Sequence, residues 1–197
     1  MAILTNVSNT IVLQNFIVNE RNDSHAIQMQ GNNSNILISN NYIFRSNAQT
    51  SAISSATTSS LEISQNVIRG NIDIHNSNLT NNILREGNFT GDNNVVLNNI
   101  GNADQFSAGN GNQASVDMNT VFVGAGTGST DAQWQLAAGS PASGTGLNGA
   151  DIGMFGGASP YVLSGIPPIP AIYFFAAPPV ASGSSGTPVQ LKIKSNN

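Results

Sequence analysis

The sequence predicts an all-β fold, a parallel β-helix with a C-terminal β-hairpin extension. Three observations predict it. A short phrase recurs between residues 11 and 100: apolar, polar, any residue, Asn, any residue, apolar. The apolar residues alternate in short β-branched runs such as Ile36-Leu37-Ile38 and Leu61-Glu62-Ile63, which is strand patterning and too short for helix. Charged residues make up only 8% of the 197, so that Gly, Asn, Ser and Thr do the solvating, as suits a repetitive structure.

The phrase is read at residues 12–17, 38–43, 63–68 and 79–84, with a weaker copy at 96–100. Its asparagines stand 26, 25, 16 and 17 residues apart. A period of about 20 residues that varies by loop insertion marks a solenoid. One such strand cannot bury its apolar face alone. Stacked coils can, each hydrogen-bonding to the next at the strand spacing of about 4.8 Å. Asn tolerates the left-handed backbone that a sharp bend needs, and its amide both donates and accepts. Asn15, Asn41, Asn66, Asn82 and Asn99 are therefore expected at the bends, hydrogen-bonded in a ladder along the axis. The chain holds 29 asparagines, so surface turns are the competing reading. Five apolar partners in step with the ladder favour the ladder.

Residues 1–10 run directly into the first coil without a covering helix. Either a longer protein continues there or another subunit covers the coil. Ile3, Ile11 and Val12 are then expected on an assembly surface. Residues 18–35 close the first coil, with Ala26, Ile27 and Met29 as a strand, and 36–60 make the next, with Ala52-Ile53 inside. In the third coil Ile72 and Ile74 point in, and Asp73 and His75 point out. Two ligands on one strand lack a third, so a solvated face is expected and no metal or other cofactor. Arg45, Arg69 and Arg85 follow their phrase asparagines by four, three and three residues and read as a structural row along one edge. Tyr42 is expected to be the exposed aromatic of the repeat.

From residue 101 to 130 the repeat loosens, with Phe106, Val116, Met118 and Val121-Phe122-Val123 expected inward. Gly144-Thr145-Gly146-Leu147-Asn148-Gly149 fits a dinucleotide-binding pattern, but no strand precedes it and no helix follows, so it reads as a glycine turn. Trp134 and Leu136 are expected to fill a widened end of the core, and Asp151 to hydrogen-bond backbone in a tight turn. The expected organisation is a β-helix over 1–157, a Pro-rich linker over 158–170 and a hairpin tail over 171–197. Ala171-Ile172-Tyr173-Phe174-Phe175 reads as a strand apolar on both faces. Val189-Gln190-Leu191-Lys192-Ile193-Lys194 returns with strict alternation, Lys192 and Lys194 facing water. Ile172, Phe174, Val189, Leu191 and Ile193 complete the expected assembly surface.

The chain resembles the C-terminal part of right-handed parallel β-helix proteins, the architecture of pectate lyases and many secreted surface proteins. The resemblance runs from residue 11 to about 157. Trp134-Gln135-Leu136, Ser140-Pro141-Ala142 and Asp151-Ile152-Gly153-Met154-Phe155-Gly156-Gly157 resemble the closing coils of secreted β-helix proteins common in Bacteroidetes. The resemblance implies a right-handed coil and an extracellular or cell-surface location, although Met1–Asn6 is no signal peptide. It also brings polysaccharide into view as a ligand, with Tyr42, Arg69, Arg85, Asp73 and His75 as possible contacts. No lyase motif matches residue by residue, so no catalytic residue is carried over.

Six basic residues and a net charge of −4 argue against nucleic acid. No apolar run is long enough to span a bilayer. With no cysteine, stability must come from a continuous core. The functional expectation is a non-enzymatic extracellular structural protein that joins end to end with itself into a filament or surface layer. The alternative is a polysaccharide-binding or polysaccharide-cleaving β-helix.

Overall fold

The structure, a computed structural model, describes residues 3–5, 8–46, 49–126, 128–164, 171–177 and 189–194. They fall into two compact units, Met1–Tyr161 and Val162–Asn197.

In the first unit each coil contributes three strands. The first coil runs β1 (Ile3–Thr5), β2 (Thr10–Leu13), β3 (Phe16–Asn19), and the second β4 (Ile27–Met29), β5 (Ile36–Ser39), β6 (Tyr42–Arg45). The third runs β7 (Ser51–Ser55), β8 (Leu61–Ser64), β9 (Val67–Arg69), and the fourth β10 (Asn71–Asp73), β11 (Asn78–Thr80), β12 (Ile83–Glu86). The fifth is β13 (Phe89–Thr90), β14 (Val95–Leu97), β15 (Ile100–Gly101). Corresponding strands stack into three parallel five-stranded sheets: A from β1 to β13, B from β2 to β14, and C from β3 to β15. This is a parallel β-helix.

Register puts like on like. Ile27, Ile53 and Ile72 align in sheet A. Val12, Ile38, Ile63 and Leu79 align in sheet B, and Ile17, Ile43, Ile68 and Leu84 in sheet C. These rows fill the bore, and each such side chain stabilises the fold by about 1.5–3 kcal/mol relative to exposure. Phe106 closes the far end of the bore, 1% exposed, its ring 5.6 Å from Phe89. The drop in period from 26 to 16 has a local cause. Between their strands in sheets C and A the first two coils hold residues 20–26 and 46–50, whereas Gly70 alone makes that turn in the third, at φ 125°. A Cβ on Gly70 would meet the Arg45 carbonyl oxygen at 2.8 Å, so any larger residue would push the coils apart.

Sheet C is buried on both faces. Its outward row, Phe16, Tyr42, Val67, Ile83 and Ile100, packs under the chain that follows the last coil. That covering segment holds a short helix α1 (Met118–Val121) and two 3-10 turns, Ala132–Trp134 and Leu147–Gly149. Val121, Phe122, Trp134, Ala142, Ile152 and Met154 meet the outward row. Trp134 therefore covers a flank rather than filling a widened end of the core, the place its sequence position suggests. Val123, expected inward, is 39% exposed, because the extended chain after Phe122 turns it to the other side. The unit continues past residue 157. Tyr161 donates its N–H to Met154 O and its hydroxyl to Asp131 Oδ2 at 3.1 Å. Burial, then the Asp131 carboxylate, push that hydroxyl up to about 12.

The second unit holds β16 (Ala171–Ala176) antiparallel to β17 (Gln190–Lys194). The prolines of 165–170 and the loop containing Pro178, Pro179 and Gly183–Gly186 lie outside the described residues. A bulge between Ile172 and Phe174 shifts the register, so that Ile172 faces Ile193 and Phe175 faces Leu191. Cross-strand partners share a face. The first strand is thus not apolar on both faces in equal measure: Ile172, Phe175, Leu191 and Ile193 gather on one side, while Lys192 lies over the Phe174 ring at 5.2 Å on the other.

Candidate functional site

Two columns of amide side chains organise the corner between sheets B and C. In the inner column, backbone N–H groups of Asn15, Asn41, Asn66 and Asn82 donate to Oδ1 of the next asparagine at 2.8, 2.9, 3.0 and 2.8 Å. Asn99 continues to Asn112 at 2.9 Å, which adds a sixth asparagine to the five expected from the sequence. Each Nδ2 also donates to the next Oδ1 and to strand carbonyls, as Asn66 does to Ile38 O and Ser64 O, both at 2.9 Å. Asn41, Asn66, Asn82 and Asn99 are fully buried.

These asparagines are not the left-handed residues. The bend falls one place earlier, on Gln14, Asn40, Gln65, Asn81 and Asn98, with φ between 52° and 58°. The left-handed residue turns the chain, and the next side chain then points into the corner. The outer column grips the covering segment. Gln14 donates to Pro160 O at 2.8 Å, Asn40 to Gly156 O at 2.8 Å, and Asn98 to Thr145 O at 3.3 Å. Asn81 Oδ1 accepts from Leu147 N at 2.8 Å. Asp151 holds the adjacent turn by accepting from Gly144 N. Both Asn40→Ala and Asn40→Gly lose the grip, but only alanine is also strained in the left-handed region. Asn40→Ala should therefore unfold at lower urea, by about 1 kcal/mol relative to Asn40→Gly.

The three arginines do not form one row. Arg45 follows its asparagine by one residue more than the others, and one residue in a strand reverses the face. It is 2% exposed and donates to Asn19 O, whereas Arg69 and Arg85 lie on the outside. Arg69 pairs with Glu86 at 2.6 Å and stands over the Phe44 ring at 4.6 Å. Arg85 stands over Trp134 at 5.3 Å. Tyr42 is not exposed: it is 3% accessible, stacked between Phe16 and Trp134 at centroid distances of 4.3 and 4.7 Å. Its consecutive apolar neighbour Ile43 takes the bore, and Tyr42 takes the covered face. Tyr42, Arg69 and Arg85 therefore belong to sheet C and its cover, while Asp73 and His75 stand outward beside sheet A. Of the expected assembly residues, Ile11 is 67% exposed, but Val12 faces the bore and is 5% exposed. The side chain of Ile3 lies outside the described residues, as does that of Lys194.

Both histidines tie coils together. His25 Nδ1 accepts from Ser51 N at 2.9 Å, which puts the proton of its neutral ring on Nε2, and His75 Nδ1 accepts from Asp92 N at 3.2 Å. Burial, then Arg45, lower His25 from its ordinary 6.5, and Asp73 opposes them. The folded state thus binds this proton less readily than the unfolded chain. Its stabilising effect is full above pH 6.5 and is lost as pH falls through the lower folded value. The unfolding midpoint should drop between pH 7 and pH 5, and His25→Gln should flatten that slope.

The outer face of sheet B carries an open groove of about 890 Å³, lined by Leu13, Leu37, Ser39 and Ser64 and walled by the covering segment. Among the described residues, no three His, Cys, Asp or Glu side chains converge as a metal site. No described helix is long and apolar enough to cross a membrane. No family model, curated protein or solved structure matches the chain. The reading of its function therefore rests on its own geometry.

Proposed function

We propose that this chain is a non-enzymatic extracellular structural subunit whose copies join end to end into a filament or surface layer. The hairpin face carries the proposal. Ile172, Phe175, Val189, Leu191 and Ile193 are 60, 65, 49, 50 and 57% exposed. Contiguous exposed apolar side chains mark an interaction surface, and an isolated two-stranded hairpin is marginal in water until it packs against something. The occupant proposed is a second copy of the chain, at its first coil. There, among the described residues, β1, β2 and β3 each pair on one side only, Ile11 is exposed, and the inner column runs to the exposed Asn15. Such a contact is heterologous and does not close on itself. The sparse surface charge favours this, because few like charges keep the edges apart.

Sedimentation velocity over a concentration series tests the reading. The full chain is expected to grow in mass with concentration, and Phe175→Lys with Leu191→Lys is expected to stay monomeric with the same sheet signal. A wild-type chain that is monomeric throughout would overturn it.

A second reading is polysaccharide binding, favoured by the sheet B groove, where Leu13 and Leu37 offer apolar contact along the axis. Saturable binding on a glycan array, lost in Leu37→Asp, would favour it over assembly.

A further inference from the structure

The hairpin and the coil carry opposite charge. All ten acidic residues and the four arginines lie in residues 1–161, which leaves them at a net −6, whereas residues 162–197 hold the two lysines and no acid, a net +2. The hairpin is thus apolar and cationic, with Ile172, Phe175, Leu191 and Ile193 on one side and Lys192 on the other. Its seat on a second copy has to be apolar, open and acidic.

One flank of the coil meets all three conditions. Sheet C is closed by the covering segment. The outward row of sheet A is polar, running Gln28, Ser54, Asp73 and Thr90. The outward face of sheet B opens instead on Ile11, Leu13 and Leu37, with Ile11 67% exposed and Leu13 37%. Two grooves meet there at Leu37, of about 890 and about 370 Å³. The charged residues that line them are Asp151 and Glu62, both acidic. Glu62 follows Ile11 and Leu37 in one outward row, and its Oε2 accepts from the neutral amide of Asn78 at 3.1 Å.

Given the assembly reading, on which this rests, we infer that the hairpin of one copy seats on the outer face of sheet B of a second copy, over Ile11, Leu13 and Leu37. The apolar side of the hairpin lies on that floor, and its burial supplies the affinity. Lys192 points away from the floor and acts at range. The Debye length in physiological salt is about 8 Å, so the opposite net charges steer and hold the encounter, and less so as salt rises. Hairpin and groove are different surfaces, so the contact is heterologous.

The test mixes two variants of the full chain in sedimentation velocity. Phe175→Lys with Leu191→Lys keeps the seat and loses the hairpin face, whereas Leu37→Lys keeps the hairpin and loses the seat. Each alone is expected to stay monomeric at concentrations where the wild type grows, and an equimolar mixture is expected to stop at the dimer. The wild-type association constant is expected to fall several-fold as sodium chloride rises from about 50 to about 500 mM. Leu37→Lys that grows like the wild type, a mixture that stays monomeric, or an association that salt leaves unchanged would overturn the seat and leave the assembly reading standing. The first of these is also the result if a glycan is the occupant of the groove. A wild-type chain that never grows would overturn both. Should Leu37→Lys fail to fold, a photoreactive side chain in place of Leu191 decides, with isotope-labelled and unlabelled copies mixed. Cross-links from one copy to β2 or β5 of the other support the seat, and cross-links only elsewhere reject it.

Discussion

Replacing Asn66 with alanine is expected to destabilise the first unit by about 4 kcal/mol, since each buried partner left unpaired costs about 1–3 kcal/mol. Asn66 Oδ1 accepts from both Asn41 N and Asn41 Nδ2. Its own Nδ2 serves Ile38 O, Ser64 O and Asn82 Oδ1. Removing the amide strands two donors on one coil and takes a donor from acceptors on three. No water reaches them, because Asn66 is fully buried. Asn15, at the exposed end of the column, provides the internal control. Its alanine variant should cost less than about 1 kcal/mol, in line with a solvated hydrogen bond. Urea unfolding with unchanged slope checks both. Equal losses at Asn66 and Asn15 would mean that the column is a surface ornament.

Trp134→Ala is expected to cost about 4 kcal/mol, the usual scale for emptying a buried aromatic site. The indole stacks on Tyr42 at 4.7 Å and meets Phe122 edge-on at 5.3 Å. Arg69 and Arg85 lie over it at 5.7 and 5.3 Å. Its loss unseats the covering segment rather than the bore. The expected signature is therefore specific: Tyr42 becomes accessible to solvent while the sheet signal in circular dichroism persists. Trp134→Phe should retain most of the stack and lose about half as much. Because Trp134 is the only tryptophan, its fluorescence in the parent chain reports the cover alone. Loss of sheet signal in parallel with exposure of Tyr42 would contradict the separation of bore from cover.

The sequence revealed the coil more readily than its cover, and the reason is chemical. Strands repeat, so Ile38, Ile63 and Leu79 announce themselves by recurrence, whereas the segment from 116 to 161 covers the stack once and has no second copy to compare. A signal was nevertheless present. The position after each phrase asparagine is unconstrained in the phrase itself, yet it holds Phe16, Tyr42, Val67, Ile83 and Ile100. Two consecutive apolar residues on a strand describe a sheet buried on both faces, so a covering layer over sheet C was legible there. The bend was displaced by one residue for a similar reason. Asn is the better-known left-handed residue, but the corner needs an inward amide as much as a bend, and Gln14 and Gln65 show that the bend itself accepts other side chains. Proximity to the phrase groups Arg45 with Arg69 and Arg85, and the alternation of a strand separates them.

The central claim is that the inner amides bind coil to coil while the outer amides of Gln14, Asn40, Asn81 and Asn98 bind the cover. Side-chain amide hydrogen exchange of the asparagines, read by nuclear magnetic resonance, tests it most directly. The Nδ2 protons of Asn41, Asn66, Asn82 and Asn99 should exchange only through global unfolding, and those of Asn40 and Asn98 through a smaller opening that Trp134→Ala makes easier. Inner-column protons that exchange as fast as those of the exposed Asn35 would contradict the account.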